Sequence, residues 1–256
     1  MNRREFIRNV AVVAAGAMLG IPASASVAAN TREEKKRMKA IFINGSPRKN
    51  RNTASLLKKV MDGAADAGCE TKLVHLRDLK FSGCISCLAC KLKGNTCAGL
   101  CALQDDLRPV LEETLASDII VIGTPVYWHY PTALTRAFME RLLFAPLDYA
   151  NPGSSVLAKK IRCATIYTMH VMNDELFAKQ GYAQTLGVAA KSLEFLGPQE
   201  TLYFRGLSVF PETGTDRYAA SDWFNDLLAK ERREHYAEYE RQAYELGKRL
   251  VEKTIS

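Results

Sequence analysis

Two alternating patterns of apolar residues run along most of the chain. Short hydrophobic runs occur at Ala40–Ile43 (AIFI), Lys72–Leu76 (KLVHL), Ile119–Gly123 (IIVIG), Cys163–Thr168 (CATIYT) and Thr201–Val209 (TLYFRGLSV). Their length and β-branched content read as five strands. Between them the apolar spacing changes to three and four. Leu56, Leu57, Val60, Met61 and Ala64 mark a helix over Thr53–Ala67, which Gly68 stops. Leu107, Val110, Leu111 and Leu115 mark a second, and Thr132–Leu143 is a third. Tyr182, Leu186, Ala189, Leu193 and Leu196 mark a fourth, closed by Gly197-Pro198. Ser221–Glu252 reads as a charged helix or pair of helices carrying Trp223, Tyr236, Tyr239 and Tyr244. Strands separated by helices predict a five-stranded parallel sheet covered on both faces, one doubly wound α/β domain. Ligands of such sheets bind beyond the carboxyl ends of the strands. The loops after Ile43, Leu76, Gly123 and Thr168 are therefore where chemistry is expected.

The N-terminus follows neither pattern. Arg3-Arg4-Glu5-Phe6-Ile7-Arg8 precedes an apolar run, Val10–Leu19, and then small residues around Ala23-Ser24-Ala25 and Ser26-Val27-Ala28. This is the order of an export signal, and the run is too short to span ~30 Å of hydrocarbon. The paired arginines resemble a twin-arginine signal, with Asn2 where Ser or Thr is usual. Residues 1–29 are expected to be a leader directing the protein to the periplasm, and residues 30–38 (NTREEKKRM) a charged linker. No stable membrane span is expected once the leader is removed.

The chain has 256 residues, 47% hydrophobic and 25% charged, the balance of an ordinary globular protein. Three of its 35 basic and one of its 28 acidic residues fall in the leader, which leaves 32 against 27, a net charge of +5. The positive charge is scattered, with no stripe of Lys and Arg interleaved with aromatics, so a nucleic-acid partner is not expected.

The loop after the first strand reads Asn44-Gly45-Ser46-Pro47-Arg48-Lys49-Asn50-Arg51-Asn52-Thr53 and runs directly into a helix. It contains neither G-x-G-x-x-G nor G-x-x-x-x-G-K-[ST]. It offers two hydroxyls, an amide, a guanidinium and a helix N-terminus, which together suit a phosphomonoester. The alternative is a polar turn with Asn52 or Thr53 as N-cap.

In order, GSPRKNRNT, C-x2-C-x2-C, Asp105-Asp106 and GTPVYWHYPTALTRAFMERL resemble the NADPH-dependent FMN reductase superfamily of flavodoxin-like fold, and its iron–sulfur flavoproteins in particular. The resemblance covers about residues 38–210, with 211–256 left as a helical extension. Arg51 and His129 depart from it, standing where small residues are common. It implies that Ser46, Arg48, Asn52 and Thr53 hold an FMN phosphate. It further implies that Pro125, Val126, Tyr127 and Trp128 line the ribityl chain and ring, and that Thr168, Met169 and His170 close the other side.

Five of the seven cysteines fall in GCISCLACKLKGNTCAGLC, inside an insertion at 81–104. By the same resemblance, Cys84, Cys87, Cys90 and Cys97 are ligands of a [4Fe–4S] cluster, each thiolate reaching one corner iron. Cys101 is a fifth cysteine able to replace Cys97 as the last ligand. Zinc and disulfides stay open, since exported proteins meet an oxidising compartment. Cys69 and Cys163 stand apart and read as buried thiols.

The function expected is an FMN-dependent oxidoreductase passing electrons between a donor and a small-molecule acceptor. The resemblance supplies NAD(P)H as donor, whereas export favours a redox protein or quinol. The competing accounts are a non-catalytic electron carrier with a protein partner, a cluster-free quinone reductase, and a metal-binding module without flavin. A homodimer is expected from the resemblance alone.

Overall fold

The structure, a computed structural model, describes residues 37–94, 99–151, 153–210, 217–219 and 222–253. The leader, most of the linker and Cys97 lie outside the described residues.

In chain order the elements are β1 (Lys39–Asn44), α1 (Asn52–Asp66), β2 (Glu70–His75), α2 (Leu107–Ala116), β3 (Ile119–Tyr127), β4 (Tyr130–Pro131), α3 (Ala133–Phe144), β5 (Leu147–Asp148), β6 (Ser154–Ser155), β7 (Arg162–Thr168), α4 (Asp174–Lys179), α5 (Tyr182–Lys191), β8 (Gln199–Phe204) and α6 (Asp222–Glu252). Five strands form a parallel sheet in the order β2-β1-β3-β7-β8, with β4 folded back antiparallel on the end of β3. This is the doubly wound, flavodoxin-like arrangement, and its strand order reverses between β1 and β3. β5 and β6 form a separate two-stranded ribbon.

The strands are apolar throughout because both sheet faces are covered. Alternation divides them. Phe42, Val121, Ile166 and Phe204 face a core shared with Leu56, Leu57 and Val60 of α1 and Ala243, Leu246 and Leu250 of α6. Ile41, Ile43, Ile120 and Ile122 face the opposite core, with Leu107 and Leu111 of α2 and Phe138 and Leu142 of α3. Residues 222–252 are one helix rather than a pair, and its later turns belong to the core.

Glycine brings α6 this close to α1. A Cβ on Gly63 would stand 2.0 Å from the Tyr244 carbonyl oxygen, and one on Gly247 2.0 Å from that of Val60. The last carbonyls of α6 are met by Arg162, which donates to Leu250 and Val251.

The fifth strand is shorter than Thr201–Val209, ending at Phe204. Gly206 takes a left-handed φ of +63°, and its N–H goes to the Val171 carbonyl while that of Leu207 goes to Met169. The chain so turned carries residues 207–209 over the carboxyl end of β7. The β3–β4 hairpin, the ribbon and α4 were not legible as elements, each being six residues or fewer apart from β3 itself.

Candidate functional site

A cleft opens at the carboxyl ends of β1, β3 and β7. It is lined by Ser46, Arg48, Asn52 and Thr53 on one side, Pro125, Val126 and Tyr127 on another, and Thr168 and His170 on a third. The residues expected from the sequence, Trp128 excepted, thus share one wall system. Trp128 stands apart at the hairpin tip, 92% exposed. Met169, expected beside Thr168 and His170, lines the same cleft, as do Arg51 and the 207–209 segment, which the sequence did not assign to it.

The first loop is held by its own side chains. Ser46 N–H donates to Asn44 Oδ1 at 3.0 Å, and Arg48 N–H to Ser46 Oγ at 3.1 Å. Gly45 N–H bonds the Gly123 carbonyl at 2.8 Å, and the Gly45 carbonyl accepts from Thr132 Oγ1 at 2.8 Å. A Cβ at Gly45 would lie 1.9 Å from Thr135 Oγ1, so the position has room for glycine alone.

Neither Asn52 nor Thr53 caps α1. Its N-cap is Arg51, no side chain caps the helix, and no acidic residue lies in its first turn. Asn52 instead donates to the Ser208 carbonyl and accepts from Arg232 Nη1, while Thr53 Oγ1 pairs with Thr168 Oγ1. Arg48 donates to the Val209 carbonyl. The start of the helix therefore presents backbone N–H groups and the positive end of its dipole to the cleft, an environment that favours an anion.

On the other side, Trp128 and His129 both have left-handed φ, +48° and +69°. Consecutive positive φ values are the geometry of a two-residue type I′ hairpin, normally reserved for Asn and Gly. Stacking of His129 on Tyr182 at 4.8 Å supports the strained turn. Burial holds the His170 imidazole below its ordinary range, opposed by its hydrogen bond to the Leu207 backbone.

The cysteine segment lines a second, small hollow, almost wholly apolar. Cys84, Cys87, Cys90 and Cys101 all line it, with Arg141 and Phe144 of α3. All are free thiols. The loop is tied to α3 at several points. Cys84 N–H donates to Glu140 Oε2 at 3.1 Å, and Lys91 Nζ donates to the Ala145 carbonyl at 2.8 Å. Lys91 also lies 4.9 Å from the centre of the Phe144 ring. Ser86 and Leu88 adopt left-handed φ, which turns the backbone between consecutive cysteines.

Among the described residues, the group whose His, Cys, Asp or Glu ligand atoms come within 4.8 Å of one another is Glu231, Glu234 and His235, on the surface of α6. Among the described residues, no three cysteine sulfurs come that close together. Zn–S bonds of about 2.3 Å would draw four of them to about 3.8 Å apart.

One helix serves both hollows. Thr132 caps α3 beside the cleft, accepting from Thr135 N–H, and Arg141 stands at the cysteine pocket, ~13 Å further along at 1.5 Å per residue.

Comparison with known proteins agrees with this geometry. An iron–sulfur flavoprotein of Archaeoglobus fulgidus is 39% identical over 121 residues, 47% of this chain and 57% of that protein. One of Methanosarcina thermophila is 30% identical over 114 residues, 44% of this chain and 57% of that protein. The chain thus spans a little over half the length of these curated relatives. Among solved structures, an NAD(P)H:quinone oxidoreductase from Methanothermobacter marburgensis superposes with a TM-score of 0.56 at 11% identity, covering 86% of this chain and all of the other. An FMN-dependent NADH-azoreductase of Bacillus anthracis, in complex with FMN, gives 0.51 at 15% identity, covering 82% and 99%. At such identities the likeness is one of fold. The family model described as NADPH-dependent FMN reductase matches residues 38–178, a span that holds the first loop, the hairpin and the cysteine pocket. More than half of the chain lies within that match, and the protein belongs to the NADPH-dependent FMN reductase family.

Proposed function

We propose that the chain binds FMN in the cleft at the β1/β3 switch point and works as an oxidoreductase between an electron donor and a small acceptor. The observation that carries this is the start of α1, with no capping side chain, opening into a cleft lined by Ser46, Arg48, Asn52 and Thr53. A phosphomonoester satisfies that helix end, and the residues present fit it. Pro125, Val126 and Tyr127 supply a largely apolar wall for a flat ring system, and Tyr127 is half exposed at its rim. Bound flavin would supply hydride and single-electron chemistry in one site.

We further propose that the cysteine pocket holds a [4Fe–4S] cluster. Four free thiols around an apolar hollow match the soft-ligand demand of such a centre, and a low-polarity lining limits water access. The twin-arginine-type leader adds that the protein is exported folded to the periplasm, where a quinol or redox protein is a more available donor than NAD(P)H.

Anaerobic purification followed by absorbance, iron and sulfide analysis tests the reading. Paired near-ultraviolet and blue flavin bands with about four irons per chain are expected. A colourless protein that stays colourless with added FMN overturns it. NADPH or quinol oxidation by a quinone without an added protein distinguishes an enzyme from an electron carrier.

A further inference from the structure

We infer that Cys101 is the fourth ligand of the cysteine site and that Arg141 is its positioning residue, a hydrogen-bond donor to the ligating sulfur that raises the potential of the bound centre. The inference rests on the cluster reading above and concerns which residues build and tune that centre.

Cys101 lies well beyond the compact C-x2-C-x2-C run, yet it lines the same hollow as Cys84, Cys87 and Cys90. The segment that brings it there is tightly held. Arg141 Nε donates to Cys101 Sγ at 3.3 Å, and Arg108 Nη1 donates to the Cys101 carbonyl at 2.6 Å. Gly99, at φ +83°, packs against Pro146, where a Cβ would come within 3.3 Å of the proline ring. Leu100 is buried in the core beside α2 and α3.

Arg141 is placed for this task at some cost. Its side chain is wholly buried, and a buried guanidinium is tolerated only when it is paired and its donors are satisfied. Nη1 meets Asp105 Oδ2 at 2.5 Å and the Ser82 carbonyl at 3.3 Å, and Nη2 meets the Leu103 carbonyl at 3.1 Å. Those three contacts fix the planar fork, and its remaining direction, Nε–H, points at sulfur. Purely structural charge pairing would be met by Asp105 alone. Hydrogen bonds to cluster sulfurs stabilise the more negative, reduced state and so raise the reduction potential.

The test compares Cys97→Ser, Cys101→Ser and Arg141→Lys with the parent, each purified without oxygen and analysed for FMN, iron, sulfide and low-temperature EPR. Cys101→Ser should lose at least half of its iron and sulfide while keeping FMN, and Cys97→Ser should keep both at parental levels. Arg141→Lys keeps the charge opposite Asp105 and removes the Nε donor. It should retain the cluster with a midpoint potential shifted to more negative values. If Cys97→Ser loses the cluster and Cys101→Ser keeps it, the assignment of Cys101 is overturned. An intact cluster of unchanged potential in Arg141→Lys overturns the role of Arg141. A parent that binds FMN but no iron removes the cluster reading itself, an outcome distinct from the other two.

Discussion

Thr53 and Thr168 join the two halves of the cleft floor, their Oγ1 atoms 2.6 Å apart and both side chains buried. One hydroxyl belongs to the first turn of α1 and the other to the last residue of β7. Thr53→Val keeps the shape and strands the Thr168 hydroxyl, which costs about 1–3 kcal/mol for a buried group. The expected result is a Tm lower by ~2–12 °C, from about 2–4 °C per kcal/mol for a domain of this size. The FMN dissociation constant should rise about tenfold, as for a loss near 1.4 kcal/mol. Thr53→Ser should restore both. A lowered Tm with unchanged FMN affinity, read by flavin fluorescence quenching, would confine Thr53 to a packing role.

How far the cleft could be read from the sequence depended on what kind of signal each part leaves. The strands and long helices came through because two-faced burial makes β1, β3 and β7 continuous apolar runs, and α1 keeps its apolar stripe. Ser46, Arg48, Asn52 and Thr53 were found because they fall in one polar stretch that leads from β1 into the first turn of α1. Arg51 was passed over as an irregularity, although it is the residue at the N-cap. The 207–209 wall was hidden inside an apolar run, and only Gly206 marked the place where the strand stops. Arg141 left a fainter trace: a charge within the apolar stripe of α3, at a position where a surface residue would not be expected. Trp128 misled in the opposite sense, since an aromatic after a buried strand suggests a lining residue, and the hairpin turns it outward.

Cys69 and Cys163 should differ sharply in reactivity from the cysteine loop. Burial pushes the Cys69 thiol up to about 11, helped by Asp118 and Glu70, and burial alone pushes Cys163 up to about 12. The thiolate is the nucleophile, so at pH 8 both are almost wholly in the unreactive form. Iodoacetamide on the cluster-free native protein, followed by mass spectrometry, should label Cys87 and its neighbours within minutes. Cys69 and Cys163 should stay unmodified until the protein is unfolded. Native-state labelling of Cys163 at a comparable rate would show that β7 is not the closed central strand described.

Two histidines set an acid limit. Burial, with Lys49, holds His75 below its ordinary 6.5, partly offset by Asp78, and burial does the same to His170 against the Leu207 contact. Both are neutral in the fold more readily than in the unfolded chain. The unfolded state therefore binds more protons once the pH drops below about 6.5, and stability must fall with it. The contribution is complete above pH 6.5 and is lost as the pH falls from there through the lowered pKa values of the two rings. Thermal melts at pH 7.5 and 5.5 should show a drop that His170→Gln reduces. A flat profile between those values contradicts the half-buried, neutral state of both rings.

Arg48 and Arg51 should act on the phosphate and on nothing else in the coenzyme. Both line the cleft where α1 begins, and a neighbouring hollow adds Arg217 and Tyr218 to the same positive region. Attraction between exposed charges is screened by salt, so FMN should bind more weakly at 0.5 M than at 0.05 M salt, while riboflavin, lacking the phosphate, should bind almost independently of salt. Arg48→Ala and Arg51→Ala should each raise the FMN dissociation constant about tenfold, the loss of one charge-assisted hydrogen bond, and flatten its salt dependence. Riboflavin affinity should change less than twofold in either variant. The contrast separates an electrostatic grip from a general loosening of the loop, because Arg48 also holds the Val209 carbonyl and its loss could open the cleft wall. Equal weakening of FMN and riboflavin would assign Arg48 to that wall and leave the phosphate to the backbone N–H groups of α1.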